Sequence, residues 1–340
     1  MKIVFLSFYQ QAVNRGVENW LRELGLRLKE GAEVEILGPR AVKKSLLDPT
    51  GSWVRRVFLD RTSRAILGDV LQRLSRLKQA DIIVPLNGGW QVLVSKLAAK
   101  LYGRKLVIVG QAGLGFDDRW NLLWRPDLFI ALSRAQQKWA SRYYQGRIEV
   151  IPNGVDLELF NPQGKAYKTR LKPPVILCAA SLEKSHFFKE LILACVRAQA
   201  SLLIAGSGEQ KREAEIDKWG REHLKKRYLR KQFSRQEMPA VYRGADLFVY
   251  PNPSWESFGI VFLEAMASNL GIVAGDDPIR REIIDRAGVF VNPASTDSIL
   301  AGIRKGLTKN WQEIPRQQAK KFAWPKIAAE YRRVFSSLIN

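Results

Sequence analysis

The chain alternates short runs of β-forming residues with longer amphipathic runs, and this alternation occurs twice along its length. In the first half the runs with strand character are KIVFLSF, AEVEILG, DIIVPLN, KLVIVGQ, LFIALS and IEVIPN. The alternation resumes in the second half with VILCAAS, ASLLIAG, ADLFVYPN, GIVAGD and GVFVNP. Strands separated by helix-length segments are typical of parallel sheets covered by helices on both faces. The pattern therefore predicts an α/β protein with two α/β/α domains.

A passage rich in turn residues and proline separates the two halves. It spans residues 151–174 and reads IPNGVDLELFNPQGKAYKTRLKPP, a composition typical of interdomain linkers. We predict an N-terminal domain at residues 1–155, a C-terminal domain at 156–322 and a final helix at 323–340. Pro325 suits the first turn of that helix, and an apolar stripe follows it. The stripe consists of Ile327, Tyr331, Val334 and Leu338.

The composition excludes several classes of protein. With 340 residues, of which 46% are hydrophobic, the chain can bury a large core. Its two cysteines, Cys178 and Cys195, form no CxxC spacing, which speaks against a disulfide framework or a thiolate metal site. No apolar run reaches about 18 residues, and the N-terminal run reads as a strand rather than a cleaved signal. We therefore expect a cytoplasmic protein.

The net charge is the unusual feature of the composition. It amounts to +22, with 55 Lys and Arg against 33 Asp and Glu. Such a surface attracts anionic partners. Nucleic acid, an anionic membrane face and a phosphorylated substrate all qualify, so the charge alone does not choose between them.

Two acids flank a predicted helix start in the stretch SWESFGIVFLEAMASN, residues 254–269. Glu256 lies in the loop that follows a strand, and Glu264 lies about one turn into the helix. Between them, the first amides of the helix lack intrahelical acceptors and, with the helix dipole, form an anion site. Ligands of open α/β sheets bind beyond the carboxyl ends of the strands, where this loop lies. A sugar joined through a diphosphate to a ribonucleoside has hydroxyls on both sides of its phosphates, as this arrangement requires.

These residues carry a family resemblance. The segment ESFGIVFLEAMA resembles the E-x7-E signature of the retaining GT-B glycosyltransferases of glycosyltransferase family 4 (glycosyl transferases group 1). Further blocks are similar to other motifs of that family, namely RGVENWLRELGLRLKEGAEVEIL, IPNGVDLELFNP, LLIAGSGEQ, AVYRGADLFVYPN and FAWPKIAAEY. The resemblance spans nearly the whole chain. It implies two facing Rossmann-like α/β/α domains with a cleft between them and a final helix that packs back on the N-terminal domain.

The resemblance also implies roles for individual residues. Glu264 would hydrogen-bond the ribose hydroxyls of the donor, and Glu256 would lie beside the reacting centre. The other implied donor-binding positions are Phe258, Gly259, Ile260 and Val261 at the helix start, and Gly16, Gly206 and Gly208 in glycine loops near the phosphates. The implied chemistry is a front-face displacement with retention, in which the departing diphosphate helps to take the acceptor's proton.

The sequence departs from the family pattern at two places. The usual Arg and Lys pair after the first strand of the second domain aligns with ASLEKSHF, so Ser181 stands at the Arg position and His186 at the Lys position. Lys184 could substitute as the catalytic cation, and a protonated His186 could serve in part, unless His186 is a core residue. Where many members place a histidine near the transferred sugar, this chain has Gln111. Its amide can hydrogen-bond hydroxyls but cannot act as an acid or base.

The predicted function is transfer of a sugar from a nucleoside-diphosphate sugar to a saccharide, lipid-linked or small-molecule acceptor, without a metal ion or further cofactor. The acid pairs at 117–118 and 276–277 support a metal site only weakly, because adjacent side chains project in different directions. The departures leave open a weakly active or inactive sugar-nucleotide-binding or scaffold protein of the same fold. Nucleic-acid binding would explain the charge but not the two glutamates, and no recognition motif supports it.

One segment concentrates positive charge. Residues 55–78, RRVFLDRTSRAILGDVLQRLSRLK, combine cationic residues with an apolar stripe at Ile66, Val70, Leu74 and Leu77. A domain helix with a charged outer face explains this pattern. Alternatively, the basic face of the N-terminal domain lies on anionic lipid headgroups and presents the cleft to a lipid-linked acceptor, which would make the protein a peripheral one at the inner face of the membrane.

Overall fold

The computed structural model describes residues 1–8, 16–38, 60–86, 88–182, 187–254, 256 and 258–339. The chain divides into two compact units, the first formed by Met1–Asn153 with Trp324–Asn340 and the second by Gly154–Ala323. Each unit contains a parallel sheet of six strands with helices against it. The predicted α/β fold class is therefore confirmed.

The first unit is built on β1 (Lys2–Leu6), β2 (Glu33–Leu37), β3 (Ile82–Pro85), β4 (Lys105–Val109), β5 (Leu128–Ala131) and β6 (Ile148–Val150). Their order is β2-β1-β3-β4-β5-β6, and all neighbours are parallel. The helices are α1 (Gly16–Leu28), α2 (Arg61–Leu71), α3 (Leu74–Leu77), α4 (Trp90–Tyr102), α5 (Phe116–Leu123), α6 (Arg134–Ala140) and α14 (Trp324–Ser336). The inner strands are apolar because helices cover both faces of the sheet.

Helix α14 follows the second unit in sequence but packs in the first. Ile327, Tyr331 and Val334 of the predicted apolar stripe are buried, whereas Leu338 lies beyond the end of the helix and is half-buried. The ring of Tyr331 meets Trp20 of α1 edge to face at 6.0 Å. Arg332 Nη1 also donates to the carbonyl oxygen of Arg27 at 2.8 Å. The last helix thus packs on α1 of the first unit.

The second unit is built on β7 (Val175–Ala179), β8 (Ser201–Ala205), β9 (Tyr228–Lys231), β10 (Leu247–Tyr250), β11 (Ile272–Gly275) and β12 (Gly288–Val291), in the order β12-β11-β10-β7-β8-β9. Its helices are α7 (Phe188–Arg197), α8 (Gln210–Leu224), α9 (Met238–Arg243), α10 (Ile260–Ala267), α11 (Pro278–Ile284), α12 (Thr296–Thr308) and α13 (Ile314–Lys320). The two cysteines are free and buried in this unit.

Strand β9 is absent from the sequence prediction because its residues, YLRK, lie in a run of cationic side chains. It forms an edge of the second sheet, where charged side chains can reach solvent. Arg230 Nε and Nη2 each bond a different carboxyl oxygen of Asp217 at 2.8 Å, and Tyr228 Oη donates to Oδ1 of the same residue at 2.9 Å. Helix α8 therefore supplies the counter-charge that lets this basic run pair as a strand.

From Gly154 onward, the turn-rich passage that we interpreted as a linker packs into the second unit. Phe160 is buried and meets the ring of Tyr242 at 5.8 Å. The carbonyl oxygens of Leu157 and Phe160 accept hydrogen bonds from the guanidinium of Arg316. The passage is therefore part of the packed structure of this unit rather than a free tether.

The apolar stripe of the 55–78 segment lies inside the first unit. Ile66 and Val70 of α2 and Leu77 of α3 are buried, and Leu74 is half-buried against the same core. This supports the interpretation of α2 as a domain helix with a charged outer face. Residues 55–59 lie outside the described residues.

Candidate functional site

The second sheet reverses its direction of growth between β7 and β10. From β7 the chain adds β8 and β9 on one side, and from β10 it adds β11 and β12 on the other. Loops that leave the carboxyl ends of such neighbouring strands diverge and form a crevice, the usual ligand position in open α/β sheets. Ser181 follows β7 and is exposed, and the loop with Glu256 follows β10. Both predicted positions therefore lie at the switch point of this sheet.

Helix α10 begins beside this switch point with a backbone that requires glycine. Gly259 has a φ of 77°, and a Cβ there would lie 2.6 Å from the ring of Phe262. Phe258, just before it, is buried. The turn brings the first amides of the helix, those of Ile260 and Val261, to the carboxyl edge of the sheet. These amides lack intrahelical acceptors and can bind an anion.

Glu264 lies in the second turn of α10, and 12% of its side chain is exposed. Its Oε2 accepts a hydrogen bond from Tyr242 Oη at 2.9 Å, and its Oε1 lies 3.5 Å from Arg235 Nη1. Burial raises the pKa of Glu264, whereas Arg235 and Tyr242 oppose that rise. A carboxylate has about four lone-pair positions. Hydroxyl donors can therefore still bind beside these two partners.

Glu256 is half-buried in the loop after β10 and is held through both its side chain and its backbone. Its Oε2 accepts a hydrogen bond from Tyr250 Oη at 2.9 Å. Its backbone carbonyl accepts one from Arg280 Nη2 at 2.8 Å. The carboxylate is thus fixed against the end of the strand that precedes it.

Arg280 ties this loop to the neighbouring helix α11. Its side chain is fully buried, and its Nε donates to Asp277 Oδ2 at 2.8 Å. The other oxygen of Asp277 caps α11 by accepting from the amides of Ile279 and Arg280. Since Arg280 also bonds the carbonyl of Glu256, one buried guanidinium joins the helix cap to the loop.

The glycine-rich loop after β8 approaches the loop after β7 closely. A Cβ on Gly206 would lie 1.9 Å from the carbonyl oxygen of Ala180, so this position accepts no side chain. The amide of Gly208, predicted near the phosphates, donates to Glu213 Oε1 at 2.8 Å. The second oxygen of Glu213 lies 3.3 Å from Arg230 Nη2. An internal carboxylate therefore occupies the Gly208 amide in this structure.

Gln111 follows β4 at the carboxyl edge of the first sheet. Its Nε2 donates to Oδ1 of Asn153 at 3.0 Å, and Asn153 is buried at the end of β6. Gly16 is the first residue of α1, and residues 9–15 before it lie outside the described residues. The two positions are thus placed in the first unit, at the end of a strand and the start of a helix.

Two of the predicted catalytic residues are not covered by the structure. Lys184 and His186 lie in 183–186, outside the described residues. Their proposed contact with the diphosphate therefore stays a prediction.

The two acid pairs have structural partners. Asp277 caps α11, and Asp276 pairs with Arg281 at 2.6 Å. Asp118 is buried and accepts hydrogen bonds from the side-chain amides of Asn121 and Gln136. Across the residues that the structure describes, no group of three or more His, Cys, Asp or Glu could hold a metal ion.

Sequence reasoning missed the residues that hold the two glutamates, namely Arg235, Tyr242, Tyr250 and Arg280. The tyrosines carry a weak signal, because both lie in the block AVYRGADLFVYPN that precedes Glu256. Nothing in the local sequence distinguishes Arg280 from the many exposed arginines. Its burial results from the neighbouring positions of β10 and β11 in the sheet.

Two family models match consecutive parts of the chain. The model described as Glycosyltransferase Family 4 matches residues 14–159, and the model described as Glycosyl transferases group 1 matches residues 161–323. Together with the two parallel sheets, these matches place the chain in the class of GT-B glycosyltransferases. Within that class, the chain belongs to glycosyltransferase family 4, the group 1 glycosyl transferases.

Several relatives are described as mannosyltransferases. The phosphatidyl-myo-inositol mannosyltransferase of Mycobacterium leprae is 27% identical over 223 residues, which cover 62% of this chain and 59% of that protein. O-antigen chain mannosyltransferase B of Escherichia coli is 34% identical over 94 residues, which cover 26% of this chain and 24% of that protein. The matches to these two relatives thus span 59% of their length or less.

Solved structures match over the whole chain. HepE of Anabaena, crystallised with UDP and glucose, has a TM-score of 0.73 at 19% identity and covers 99% of this chain and 100% of its own. A sucrose-phosphate synthase of Thermosynechococcus elongatus has a TM-score of 0.77 at 17% identity and covers 99% of both chains. At these identities the likeness establishes the fold.

Proposed function

We propose that the protein transfers a hexose from a nucleoside-diphosphate sugar to a saccharide, lipid-linked or small-molecule acceptor, with retention of anomeric configuration. The observation that carries the proposal is the setting of Glu264. This largely buried carboxylate is braced by Tyr242 and Arg235 inside a helix whose first amides lie at the switch point of the sheet. The carboxylate can accept hydrogen bonds from the ribose hydroxyls of a donor while the helix amides bind its diphosphate.

The other predicted residues take complementary parts in this proposal. Glu256 lies beside the transferred sugar, where Tyr250 keeps its carboxylate in place. The diphosphate is neutralised by the amides at the start of α10 and by Lys184 or His186, without a metal ion, and as leaving group it helps to take the acceptor's proton. Gly206 lets the loop after β8 lie close to the loop after β7. The amide of Gly208 remains hydrogen-bonded to Glu213. Gln111 hydrogen-bonds hydroxyls of the transferred sugar or the acceptor.

A panel of UDP-, GDP- and ADP-sugars tests the proposal. We expect one donor to raise the unfolding temperature by mass action and to support transfer, with the product keeping the donor's anomeric configuration by NMR. The names of the relatives make mannose the first sugar to test. Donor binding without turnover would favour the weakly active binding protein suggested by Ser181 at the usual Arg position. Absence of binding to every donor would refute the proposed site.

Replacing Glu264 with alanine should weaken donor binding by about 1.5–3 kcal/mol, because charge-assisted hydrogen bonds to the ribose are lost. Calorimetric titration of the best nucleotide measures this loss. Glu222→Ala is the matched control, since it removes the same charge from an exposed position of α8. Equal affinity in both variants would exclude Glu264 from the site.

We further propose that the protein is cytoplasmic and associates with the inner face of an anionic membrane through its first unit. None of the helices that the structure describes is long and apolar enough to span a bilayer. Arg61 and Arg64 lie exposed on α2, which packs against α4. On α4, Leu97 and Leu101 are 59% and 75% exposed. Exposed cations on one helix and exposed leucines on the helix packed against it match a surface of anionic headgroups over acyl chains.

Changing Arg61, Arg64 and Lys78 to glutamine should lower binding to anionic vesicles by about two orders of magnitude, at about 1 kcal/mol for each cation. Co-sedimentation across a salt series measures this change, and salt should weaken the wild-type binding. The control variant removes three exposed cations of the second unit, namely Lys211, Lys218 and Lys226. Equal loss in both variants, or equal binding to neutral vesicles, would show that this surface is not the membrane contact.

A further inference from the structure

A buried acid lies beneath the loop that follows β4 in the first unit. Asp118, in the first turn of α5, is 1% exposed. Its Oδ2 accepts a hydrogen bond from Gln136 Nε2 at 3.2 Å, and its Oδ1 accepts one from Asn121 Nδ2 at 3.3 Å. The backbone amides of Ala112 and Gly113 also bond to it. No Lys, Arg or His within the described ranges forms a salt bridge with this carboxyl, so the loop and two side-chain amides are its partners.

Gln136 of α6 extends this network to the start of the same loop. It is buried, and its Nε2 also donates to the carbonyl oxygen of Gly110 at 2.8 Å. Its Oε1 accepts from the amide of Leu132 at 2.7 Å. A Cβ on Gly110 would lie 2.4 Å from Gln136 Nε2. The loop therefore rests directly on this side chain and has little room to shift while the network is intact.

We propose that Asp118 is a positioning residue that fixes the loop at residues 110–113 and thereby sets the orientation of Gln111. Asp118 holds the loop through its amides and through Gln136. Gln111 is then presented to Asn153 at the end of β6. The inference rests on the proposed function for the contact of Gln111 with a sugar, and on the hydrogen bonds alone for the order of the loop.

The charge of Asp118 changes within the range of pH in which enzymes work. Burial, with a smaller contribution from the charge of the neighbouring Asp117, raises the pKa of Asp118 to about 8, although hydrogen bonds from Asn121 and the two loop amides oppose the rise. Below that pH the neutral acid needs an acceptor for its proton. Among the described residues no donor reaches the buried Oδ1 of Asn121. A half-turn of that side-chain amide would bring this oxygen to the proton of Asp118.

Raising the pH through about 8 therefore places a charge in a dry site. Water can stabilise that charge only when the loop opens, so the loop loosens as the acid ionises. The folding stability of the protein changes in the same direction and falls as the pH rises. Because the folded-state pKa lies above the ordinary value of 3.8, the contribution of Asp118 to stability is complete below about pH 4 and is lost as the pH rises to about 8.

Hydrogen exchange of the peptide that contains residues 110–113 tests the proposal in the full chain. Protection, corrected for intrinsic exchange, should fall by about tenfold between pH 7 and pH 9 in the wild type, because the charged fraction of an acid with a pKa near 8 rises from about one tenth to about nine tenths. Asp118→Asn keeps a neutral side chain and should remove the pH dependence. Asp118→Ala should lose protection at every pH. Asp117→Asn, at the exposed neighbour, should keep the pH dependence but shift its midpoint to lower pH, because the charge of Asp117 helps to raise the pKa of Asp118.

Wild-type protection that does not change with pH, or full protection in Asp118→Ala, would overturn the proposal. If Asp118→Ala does not fold, Gln136→Met replaces it, because it removes the bridge to Gly110 at similar volume. Where transfer is measurable, kcat/KM for the acceptor should fall above pH 8 in the wild type but not in Asp118→Asn, with donor affinity unchanged. Failure of transfer in both proteins would count against the proposed function, whereas the exchange result would still decide the role of Asp118.

Discussion

Replacing Arg280 with methionine should destabilise the protein by about 3–5 kcal/mol, because removal of one partner leaves the buried carboxylate of Asp277 without its counter-charge. The carbonyl oxygen of Glu256 also loses the donor at 2.8 Å. Methionine fills a similar volume, so the loss reports charge and hydrogen bonding rather than a cavity. Urea denaturation measures the change in free energy of unfolding, and turnover should fall with it because the loop of Glu256 is no longer fixed.

Arg281→Met provides the matched control for Arg280→Met. Arg281 is the next residue of α11, and its ion pair with Asp276 lies at the surface, where both side chains are exposed. Exposed pairs contribute little to stability, so this variant should unfold at nearly the wild-type urea concentration. Similar losses in the two variants would mean that the buried guanidinium has no special role.

Replacing Gly206 with alanine should cost about 1–3 kcal/mol of stability, because the new methyl would meet the carbonyl oxygen of Ala180 and the backbone would have to shift. Donor affinity should fall in parallel, since the loop after β8 moves away from the switch point. Thermal unfolding with and without the best donor measures both effects. Unchanged donor affinity in a destabilised Gly206→Ala would separate this loop from the donor site.

Gly68→Ala is the control for the glycine substitution. Gly68 lies inside α2, and a Cβ there meets no other atom within 4 Å. Alanine is the better helix former by about 1 kcal/mol, so this variant should be as stable as the wild type or more stable. A loss of stability in Gly68→Ala equal to that in Gly206→Ala would contradict the steric explanation.

The fold could be predicted from the sequence because most strands are buried on both faces and therefore form apolar runs between turns. Strand β9 was not predicted because an edge strand needs no apolar run. The charge of its arginine, Arg230, is balanced by Asp217 of the preceding helix, which the local sequence does not show. The apolar stripe of α2 was recognised in the sequence, but the surface that covers it could not be predicted. An amphipathic pattern is the same for a helix on a protein core and for a helix on a membrane, and only the neighbouring helix α4 distinguishes the two.

The position of the candidate site followed from the two glutamates, whereas its supporting residues did not. Tyr242 reaches Glu264 across 22 residues of sequence, and Arg280 reaches the Glu256 carbonyl across 24. Such pairs depend on the order of strands in the sheet, which local patterns do not contain. The hydrogen bond from the Gly208 amide to Glu213 was also not predictable. A glycine loop before a helix is typical of a phosphate site, and nothing in the local sequence shows that a glutamate of that helix binds the loop instead.

The packing of α14 on α1 has a consequence for synthesis on the ribosome. The first unit lacks this helix until the roughly 170 residues of the second unit have been made, an interval of about 10–30 s at usual rates of translation. During that time the face of α1 around Trp20, which is buried in the finished protein, has no cover from Tyr331. The unit begun first is therefore completed last, and the nascent chain presents an apolar surface to chaperones until its closing helix emerges.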